Sequence, residues 1–167
     1  FQAEDGIRDV AVTGVQTVLF RSNWFLYRIQ ADATGLLWAD YPSIGFNRNW
    51  VVVTMNMFTI AAGAFDHANV YIFDKANLMA GGATANNTLD ANPSPQRFTL
   101  VPTVNMDPTP EMYLIQNANG AGAGNNGVLT LYAITGRVGF ETVNQRGNML
   151  IPGAWEDFPI SGAADFA

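Results

Sequence analysis

Asp40 is the residue whose type and position best suit catalysis. It stands in the run Trp38-Ala39-Asp40-Tyr41-Pro42, between two aromatic side chains. An acidic residue on an inner strand facing a cavity can serve as the acid or the base in glycoside hydrolysis. Aspartate at a strand end also commonly caps a turn by accepting hydrogen bonds from backbone amides. Asp40 is therefore a candidate catalytic residue, and turn capping is its alternative role.

The aromatic side chains beside Asp40 are candidates for binding a ligand. Trp38 and Tyr41 carry flat rings that can stack on the apolar face of a sugar. Trp24 and Trp155 could stack in the same way. Tryptophan in a β-protein more often fills the core or the space between sheets. We expect that packing role for Trp50, which opens an apolar run.

The other residues that could do chemistry do not form a recognisable site. His67, the one histidine, follows Asp66 in a segment that we interpret as a loop. A Ser-His-Asp triad would need this histidine, and no Gly-x-Ser-x-Gly elbow accompanies it. No cluster of side chains supplies the three or four ligands of a zinc site. Asp107 stands before Pro108, a position that indicates a turn residue. Because no ligand cluster is present, we expect no metal and no cofactor.

Two polar stretches are interpreted as surface loops. Residues 117–127 alternate Gly and Asn, but they contain neither the lysine of a phosphate cradle nor a carboxylate for Ca²⁺. We expect a long hairpin loop there. The run Asn86-Asn87-Thr88 is a formal glycosylation sequon, which also indicates a surface loop.

Charge and composition narrow the class of partner. The chain has 8 Lys+Arg against 14 Asp+Glu, a net charge of −6, and no cysteine. An acidic chain without a basic stripe is a poor binder of nucleic acid, because such binding neutralises phosphates. No apolar stretch is long enough for a membrane helix. Low charge with abundant Asn, Thr, Gly and Ala is typical of extracellular β-proteins, so we expect a secreted or cell-surface protein.

Residues 2–22 resemble a translated sequencing adapter. The runs QAEDGIRD, VTGVQT and VLFRS stand in the order given by one reading frame of a common short-read adapter, after loss of one base. Val10 and Ala11 occupy the place of the sample index. Early acidic residues and polar interruptions do not fit a signal peptide. We therefore expect residues 1–22 to be non-native and exclude them from the fold prediction.

The rest of the chain predicts an all-β fold. Its apolar runs are short, rich in Val, Ile, Tyr, Phe and Trp, and separated by Gly, Pro and Asn. Only residues 75–80 read as helical. Strands are predicted at 24–31, 43–46, 50–58, 70–74, 98–100, 103–106, 112–117, 128–135 and 140–144.

A repeat organises these strands. Each unit has a short strand with a proline (Pro42 or Pro102), a polar turn and a longer apolar strand, and an aromatic-rich strand follows. Four-stranded repeats that stack face to face are the units of a β-propeller. The alternative is a β-sandwich, whose strands and turns alternate in the same way. Residues 81–95 are interpreted as an insert in the first unit.

A family resemblance favours the propeller. The chain resembles a group of secreted bacterial propeller-like proteins without an assigned activity. The resemblance extends over residues 23–167 and rests on Trp38-x-Asp40-Tyr41-Pro42-x-Ile44-Gly45-x-Asn47, Trp50-Val51-Val52-Val53, Asn56-Met57-Phe58 and Phe73-Asp74-Lys75-x-x-Leu78. It implies a fragment of about two four-stranded blades with partial edge blades. The expected divisions are 23–38 (end of a preceding blade), 39–100 and 101–147 (blades), and 148–167 (start of a truncated further blade).

Three functions remain open at this level. The first is an exported, non-catalytic binding or scaffold module for a polymer or a protein, with Trp38 and Tyr41 at the ligand. The second is part of a propeller glycoside hydrolase that uses Asp40, with other carboxylates in blades that are missing. The third is a structural spacer in a surface protein.

Overall fold

The computed structural model describes residues 25–83, 86–91, 97–122 and 126–152, which form two antiparallel four-stranded sheets. The first sheet contains β1 (Leu37–Phe46), β2 (Trp50–Thr59), β3 (Phe65–Asp74) and β4 (Asn86–Ala91), with helix α1 (Lys75–Met79) between β3 and β4. The second sheet contains β5 (Val101–Pro102), β6 (Met112–Gly122), β7 (Asn126–Thr135) and β8 (Thr142–Ile151). In each sheet the strands lie in chain order. The all-β class is therefore confirmed.

The core lies between the two sheets and follows the alternation of each strand. Side chains two residues apart point to the same face of a strand, so alternate apolar residues line one face. The buried cluster joins both sheets and consists of Trp50, Val52, Ala68, Val70, Ile72, Leu100, Met112, Leu114, Tyr132 and Ile134. Full burial of one such side chain stabilises the fold by about 1.5–3 kcal/mol. The expectation that Trp50 packs between sheets is confirmed.

A buried asparagine fixes the turn between β1 and β2. Asn47 is fully buried, and its Oδ1 accepts hydrogen bonds from the amides of Asn49 and Trp50, both at 2.9 Å. Its Nδ2 donates to the carbonyls of Pro110 (3.5 Å) and Glu111 (3.3 Å), which lie just before β6 of the second sheet. One side chain therefore shapes a turn in the first sheet and holds it against the second.

The first strand of the first sheet, β1, also contacts the segment that directly follows β5, the first strand of the second sheet. Phe46 and Val104 form a parallel bridge, in which Phe46 N donates to Thr103 O at 3.1 Å and Asn105 N donates to Phe46 O at 2.8 Å. Gly45 permits this approach, because a Cβ there would overlap the carbonyl oxygen of Thr103. The two sheets are thus joined side by side at these strands as well as face to face.

The outer face of the first sheet is covered by residues 25–31. Tyr71 and Phe73 point away from the second sheet and are nevertheless buried. The Tyr71 hydroxyl donates to Ala31 O at 2.9 Å, and the Tyr27 hydroxyl donates to Leu78 O at 2.6 Å. Burial raises the pKa of Tyr71. This segment therefore packs on the sheet without being part of it.

The covering segment ends in a loop organised by Asp32. Its carboxylate accepts hydrogen bonds from the amides of Thr34, Leu36 and Leu37, each at 2.9 Å. These bonds, led by that from the Thr34 amide, hold the pKa of Asp32 well below its usual range. These hydrogen bonds fix the loop in the conformation in which β1 begins at Leu37, beside β2.

Several predicted elements differ from the structure. The predicted strand at 24–31 is wrong in its described part, because residues 25–30 cover the sheet instead of pairing within it. The predicted strands at 98–100 and 103–106 are also wrong: the short strand β5 lies between them. Pro42 lies inside β1 rather than at its start. Part of the predicted insert at 81–95 forms β4, which also carries the sequon that was expected in a loop.

Several strands are longer than predicted. The expected long loop at 117–127 is wrong, because β6 continues to Gly122 and β7 begins at Asn126. Strand β8 spans the predicted division at 147/148, and β1 spans that at 38/39. The helical prediction at 75–80 is confirmed by α1, whose first turn is capped by the Asp74 carboxylate. None of the described residues forms a helix long and apolar enough to cross a membrane.

Asn47 gives a direct test of the junction between the sheets. We expect Asn47→Ala to lower the free energy of unfolding by about 2–3 kcal/mol, because buried amides and carbonyls lose their partners. Urea unfolding followed by tryptophan fluorescence measures this change. The matched control is Asn105→Ala, whose side chain accepts one hydrogen bond from the amide of Asp107 in an exposed loop. A loss for Asn105→Ala as large as that for Asn47→Ala would contradict the role of Asn47.

Candidate functional site

The structure places the three candidate residues on one edge strand of the first sheet. Trp38, Asp40 and Tyr41 all lie on β1. Trp38 is paired with Phe58 of β2, and Asp40 with Asn56. Strand alternation puts Trp38 and Asp40 on the same face of β1, since they are two residues apart. An aromatic ring and a carboxylate are therefore presented together.

A β-bulge follows Asp40. The pairing register shifts between Asp40 and Ser43, and Tyr41 adopts a φ of 52°, in the left-handed region. The Asp40 carboxylate accepts a hydrogen bond from the Tyr41 amide at 2.8 Å. Bulges and positive φ values at non-glycine residues concentrate at binding and catalytic sites, and they also protect sheet edges from pairing with other chains. The bulge leaves the Tyr41 side chain 61% exposed.

An aromatic row supports Trp38 from within the sheet. The indole of Trp38 stacks on Phe58, with ring centroids 5.2 Å apart and planes 25° apart. Phe58 contacts Phe65 edge to face at 5.6 Å, and Phe65 contacts Phe98 at 4.9 Å. Trp38 is 43% exposed. The row therefore holds one side of the indole while part of the ring stays open to solvent.

The loop that carries Phe98 is fixed by hydrogen bonds to β2. The amide of Thr99 donates to Asn56 Oδ1 at 2.8 Å, and Asn56 Nδ2 donates to Thr99 Oγ1 at 2.9 Å. The Thr54 hydroxyl donates to Leu100 O at 2.5 Å. Thr99 has a φ of 47°, so this loop also contains a left-handed residue. The last ring of the aromatic row is thus anchored to the strand that pairs with β1.

A shallow cavity of about 560 Å³ lies at the same end of the first sheet. Its lining comes from the start of β1 and the turn between β2 and β3 and includes Leu36, Leu37, Ile60 and Asp66. Leu37 and Trp38 are consecutive strand residues and point to opposite faces. The cavity therefore lies on the other side of β1 from the indole and is separate from the aromatic row.

Other residues singled out in the sequence lie elsewhere. The prediction that His67 is in a loop is wrong: it belongs to β3, with Nδ1 2.6 Å from the carboxylate of Asp66. The interpretation of Asp107 as a turn residue is confirmed, because its carboxylate accepts a hydrogen bond from the Thr109 amide at 2.8 Å. Hydrogen bonds from Thr109 lower the pKa of Asp107. Trp24 and Trp155 lie outside the described residues.

The described part of the chain contains no group of three or more His, Asp or Glu side chains able to hold a metal ion. Two charged side chains, Arg97 and Glu141, are buried in the described part of the chain. Glu141 accepts a hydrogen bond from the indole Nε1 of Trp50 at 2.9 Å. It also accepts one from the amide of Gly139 at 2.9 Å. Glu141 joins the two sheets, and its bonds are those of a structural carboxylate.

Sequence reasoning missed the aromatic row. Phe58, Phe65 and Phe98 come from β2, β3 and the loop before β5. The prediction of a strand from 50 to 58 already contained Phe58. A hairpin after that strand would bring Phe65 back beside Phe58. This pairing is the feature of the sequence that could have indicated the aromatic row. Nothing in the local sequence indicated that Phe98 returns to the same place.

The backbone of Tyr41 gives a test of the bulge. A left-handed conformation costs an L-residue with a Cβ about 1–2 kcal/mol, and glycine avoids this cost. We therefore expect Tyr41→Gly to be more stable than Tyr41→Ala by about 1 kcal/mol, even though glycine makes the unfolded chain more flexible. Thermal and urea unfolding of the two variants measure the difference. Equal stability, or a more stable alanine variant, would mean that Tyr41 is not left-handed.

Comparison with protein-family models, curated proteins and solved structures gives no match to this chain. The function proposed below is therefore based on the residues of β1 and the side chains that support them.

Proposed function

We propose that this chain is a non-catalytic binding module that holds a neutral polysaccharide on Trp38 and Tyr41. The observation that carries this proposal is the partly exposed indole of Trp38, stacked on Phe58 at 5.2 Å. A ring that is already held in place loses little conformational freedom when it binds a ligand. Such a ring is a good platform for the apolar face of a sugar.

The surrounding charge favours an uncharged ligand. Asp40 lies on the same face of β1 as Trp38, and the chain carries a net charge of −6. Like charges brought together on binding oppose association, so an anionic polymer would be disfavoured. The exposed Tyr41 hydroxyl and the Asp40 carboxylate are suited to hydrogen bonds with sugar hydroxyls. The proposed ligand class is therefore a neutral polysaccharide, for which a soluble β-linked glucan serves as the probe.

We propose further that this binding module is part of an exported β-propeller, as expected from the sequence. Two consecutive four-stranded meanders, each in chain order, are consistent with two blades. The parallel bridge between Phe46 and Val104 supports this arrangement. Rotation of one blade onto the next about a common axis places corresponding first strands parallel and adjacent. In a β-sandwich the two sheets only have to pack face to face, and no parallel contact between their first strands is required.

Asp40 gives an alternative function, as part of a glycoside hydrolase. The specific observation is that its carboxylate shares a strand face with Trp38, where it would lie beside a bound sugar. Incubation of the glucan with the full chain and with Asp40→Asn decides between the functions. Binding without cleavage supports the non-catalytic binding module. Cleavage by the unaltered chain that disappears in Asp40→Asn supports the glycoside hydrolase instead.

Replacement of Trp38 tests the binding proposal. We expect Trp38→Ala to weaken affinity for a soluble β-linked glucan at least about tenfold, because buried aromatic anchors dominate recognition. Trp38→Phe should retain part of the affinity, since it keeps a ring above Phe58. Affinity electrophoresis or isothermal titration calorimetry with the full chain measures both variants.

The matched control is Phe140→Ala. Phe140 is another exposed aromatic residue, in the turn between β7 and β8, with the Arg137 guanidinium over its ring. We expect Phe140→Ala to bind the glucan as the unaltered chain does. Equal loss of affinity in both variants would contradict a site at Trp38, and no binding to any neutral glucan would favour the structural spacer.

A pair of cysteines tests the side-by-side arrangement. The chain has no cysteine, so Phe46→Cys with Val104→Cys introduces a single pair. Adjacent strands lie about 4.8 Å apart, which fits the Cα separation of a disulfide. We expect a bond to form on mild oxidation of the folded chain, detected as a loss of free thiol.

The control pair combines Ile44→Cys with Val104→Cys. Ile44 lies two residues from Phe46 on the same strand, which places the new pair about 8 Å apart, beyond the reach of a disulfide. Failure of the first pair to oxidise, or equal oxidation of both pairs, would contradict the parallel contact on which the blade arrangement rests.

A further inference from the structure

Two non-glycine residues in the described part of the chain have a left-handed backbone, and both lie next to Asn56 or its cross-strand partner. Tyr41 directly follows Asp40, which is paired with Asn56. The amide of Thr99 donates to Asn56 Oδ1 at 2.8 Å, and Asn56 Nδ2 donates to Thr99 Oγ1 at 2.9 Å. Left-handed residues with a Cβ persist only where their surroundings hold them, and they concentrate at binding sites. Asn56 is therefore the side chain that holds the second of these residues.

Asn56 can influence the Trp38 site without contacting a ligand. It is only 3% exposed, so a polysaccharide at the surface does not reach its amide group. Both polar atoms of its side chain bond to Thr99, the residue directly after Phe98. Phe98 is the last ring of the aromatic row and contacts Phe65 at 4.9 Å. The bonds of Asn56 thus fix the backbone beside that ring.

We infer that Asn56 is a positioning residue for the polysaccharide site, a role that rests on the proposed function. Its hydrogen bonds hold Thr99 in the left-handed conformation that places Phe98 against Phe65. The row then continues through Phe58 to the indole of Trp38. When these bonds are lost, Thr99 returns to the negative φ that L-residues prefer, and Phe98 leaves its place. An indole that must be ordered during binding costs affinity.

Asn69 is a buried asparagine of the same sheet that lacks this connection. It is 7% exposed and lies on β3, one pairing step from the partner of Asn56. Its Nδ2 donates to the Tyr71 hydroxyl at 2.9 Å, on the outer face that residues 25–31 cover. Strand alternation places this face opposite the aromatic row. Asn69→Ala is therefore the matched control for Asn56→Ala.

Glucan affinity of the full chain measures the effect on the ligand. We expect Asn56→Ala to weaken binding of a soluble β-linked glucan about fivefold, the cost of ordering one side chain during association. Asn69→Ala also deprives a buried group of its partner and lowers stability, but it should bind as the unaltered chain does. Affinities are compared at a temperature at which circular dichroism shows each variant to be folded. Equal losses of affinity would mean that Asn56 contributes only to overall stability.

Glycine at position 99 separates positioning from stability. Glycine adopts the left-handed conformation without support. The double variant with Asn56→Ala and Thr99→Gly should therefore recover affinity that Asn56→Ala loses. Its stability should stay below that of the unaltered chain, because the hydrogen bonds of Asn56 are still missing. Binding as weak as that of Asn56→Ala would contradict a role exerted through Thr99.

Motion of the Trp38 indole provides a measurement that needs no ligand. In a chain with Trp24→Phe and Trp155→Phe, the remaining indoles are those of Trp38 and Trp50. Trp50 is 1% exposed and bonded to Glu141, so a fast component of the time-resolved fluorescence anisotropy reports the motion of Trp38. We expect the amplitude of this component to rise when Asn56→Ala is added. It should stay unchanged with Asn69→Ala and fall again in the double variant.

The two measurements distinguish failure of this inference from failure of the proposed function. Glucan binding with affinity and anisotropy both unchanged in Asn56→Ala would overturn the inference and leave the proposed function in place. Absence of binding by the unaltered chain would overturn the proposed function and the ligand role of Asn56, whereas a rise in anisotropy decay would still support the ordering of Trp38. If Asn56→Ala does not fold, Phe98→Ala decides: unchanged affinity there would show that this loop does not support the site.

Discussion

The fold depends on a buried amide that connects two sheets at one turn. The side chain of Asn47 accepts hydrogen bonds from Asn49 and Trp50 and donates to Pro110 and Glu111. Its own carbonyl accepts a hydrogen bond from Lys75 Nζ at 2.9 Å. In a desolvated site each of these groups would be costly to leave unpaired, so the arrangement holds only when both sheets are in place. The turn, the helix after β3 and the second sheet are therefore fixed together.

The space between the sheets changes in character along the strands. At the Asn47 end it contains Trp50 and Val52 opposite Met112 and Leu114. Toward the other end, the buried residues become polar, with Thr54, Asn56, Gln116 and Thr130. Tyr132 lies between these zones; burial raises its pKa, and its hydroxyl donates to Gln116 at 3.0 Å. Apolar packing provides the stability, and paired polar groups fix how the sheets align.

The candidate site lies at the edge of the core, where the backbone is strained and side chains are exposed to solvent. Tyr41 is held at a φ of 52° in a bulge, and Trp38 rests on a row of phenylalanines at the edge of the core. The aromatic row gives the indole a rigid base, and the bulge after Asp40 turns Tyr41 out of the regular pleat.

The sequence by itself determined the class of the fold, the strand that begins at Trp50, the short helix after Asp74 and the packing of Trp50. These features depend on alternation and capping among neighbouring residues, which local sequence records. Tertiary structure alone decided the bulge at Tyr41, the return of Phe98 to Phe65 and the pairing of Trp50 with Glu141. It also decided that residues 25–31 cover a sheet instead of joining it. Each of these depends on which distant segment arrives beside a given strand, and strand alternation carries no information about the partner.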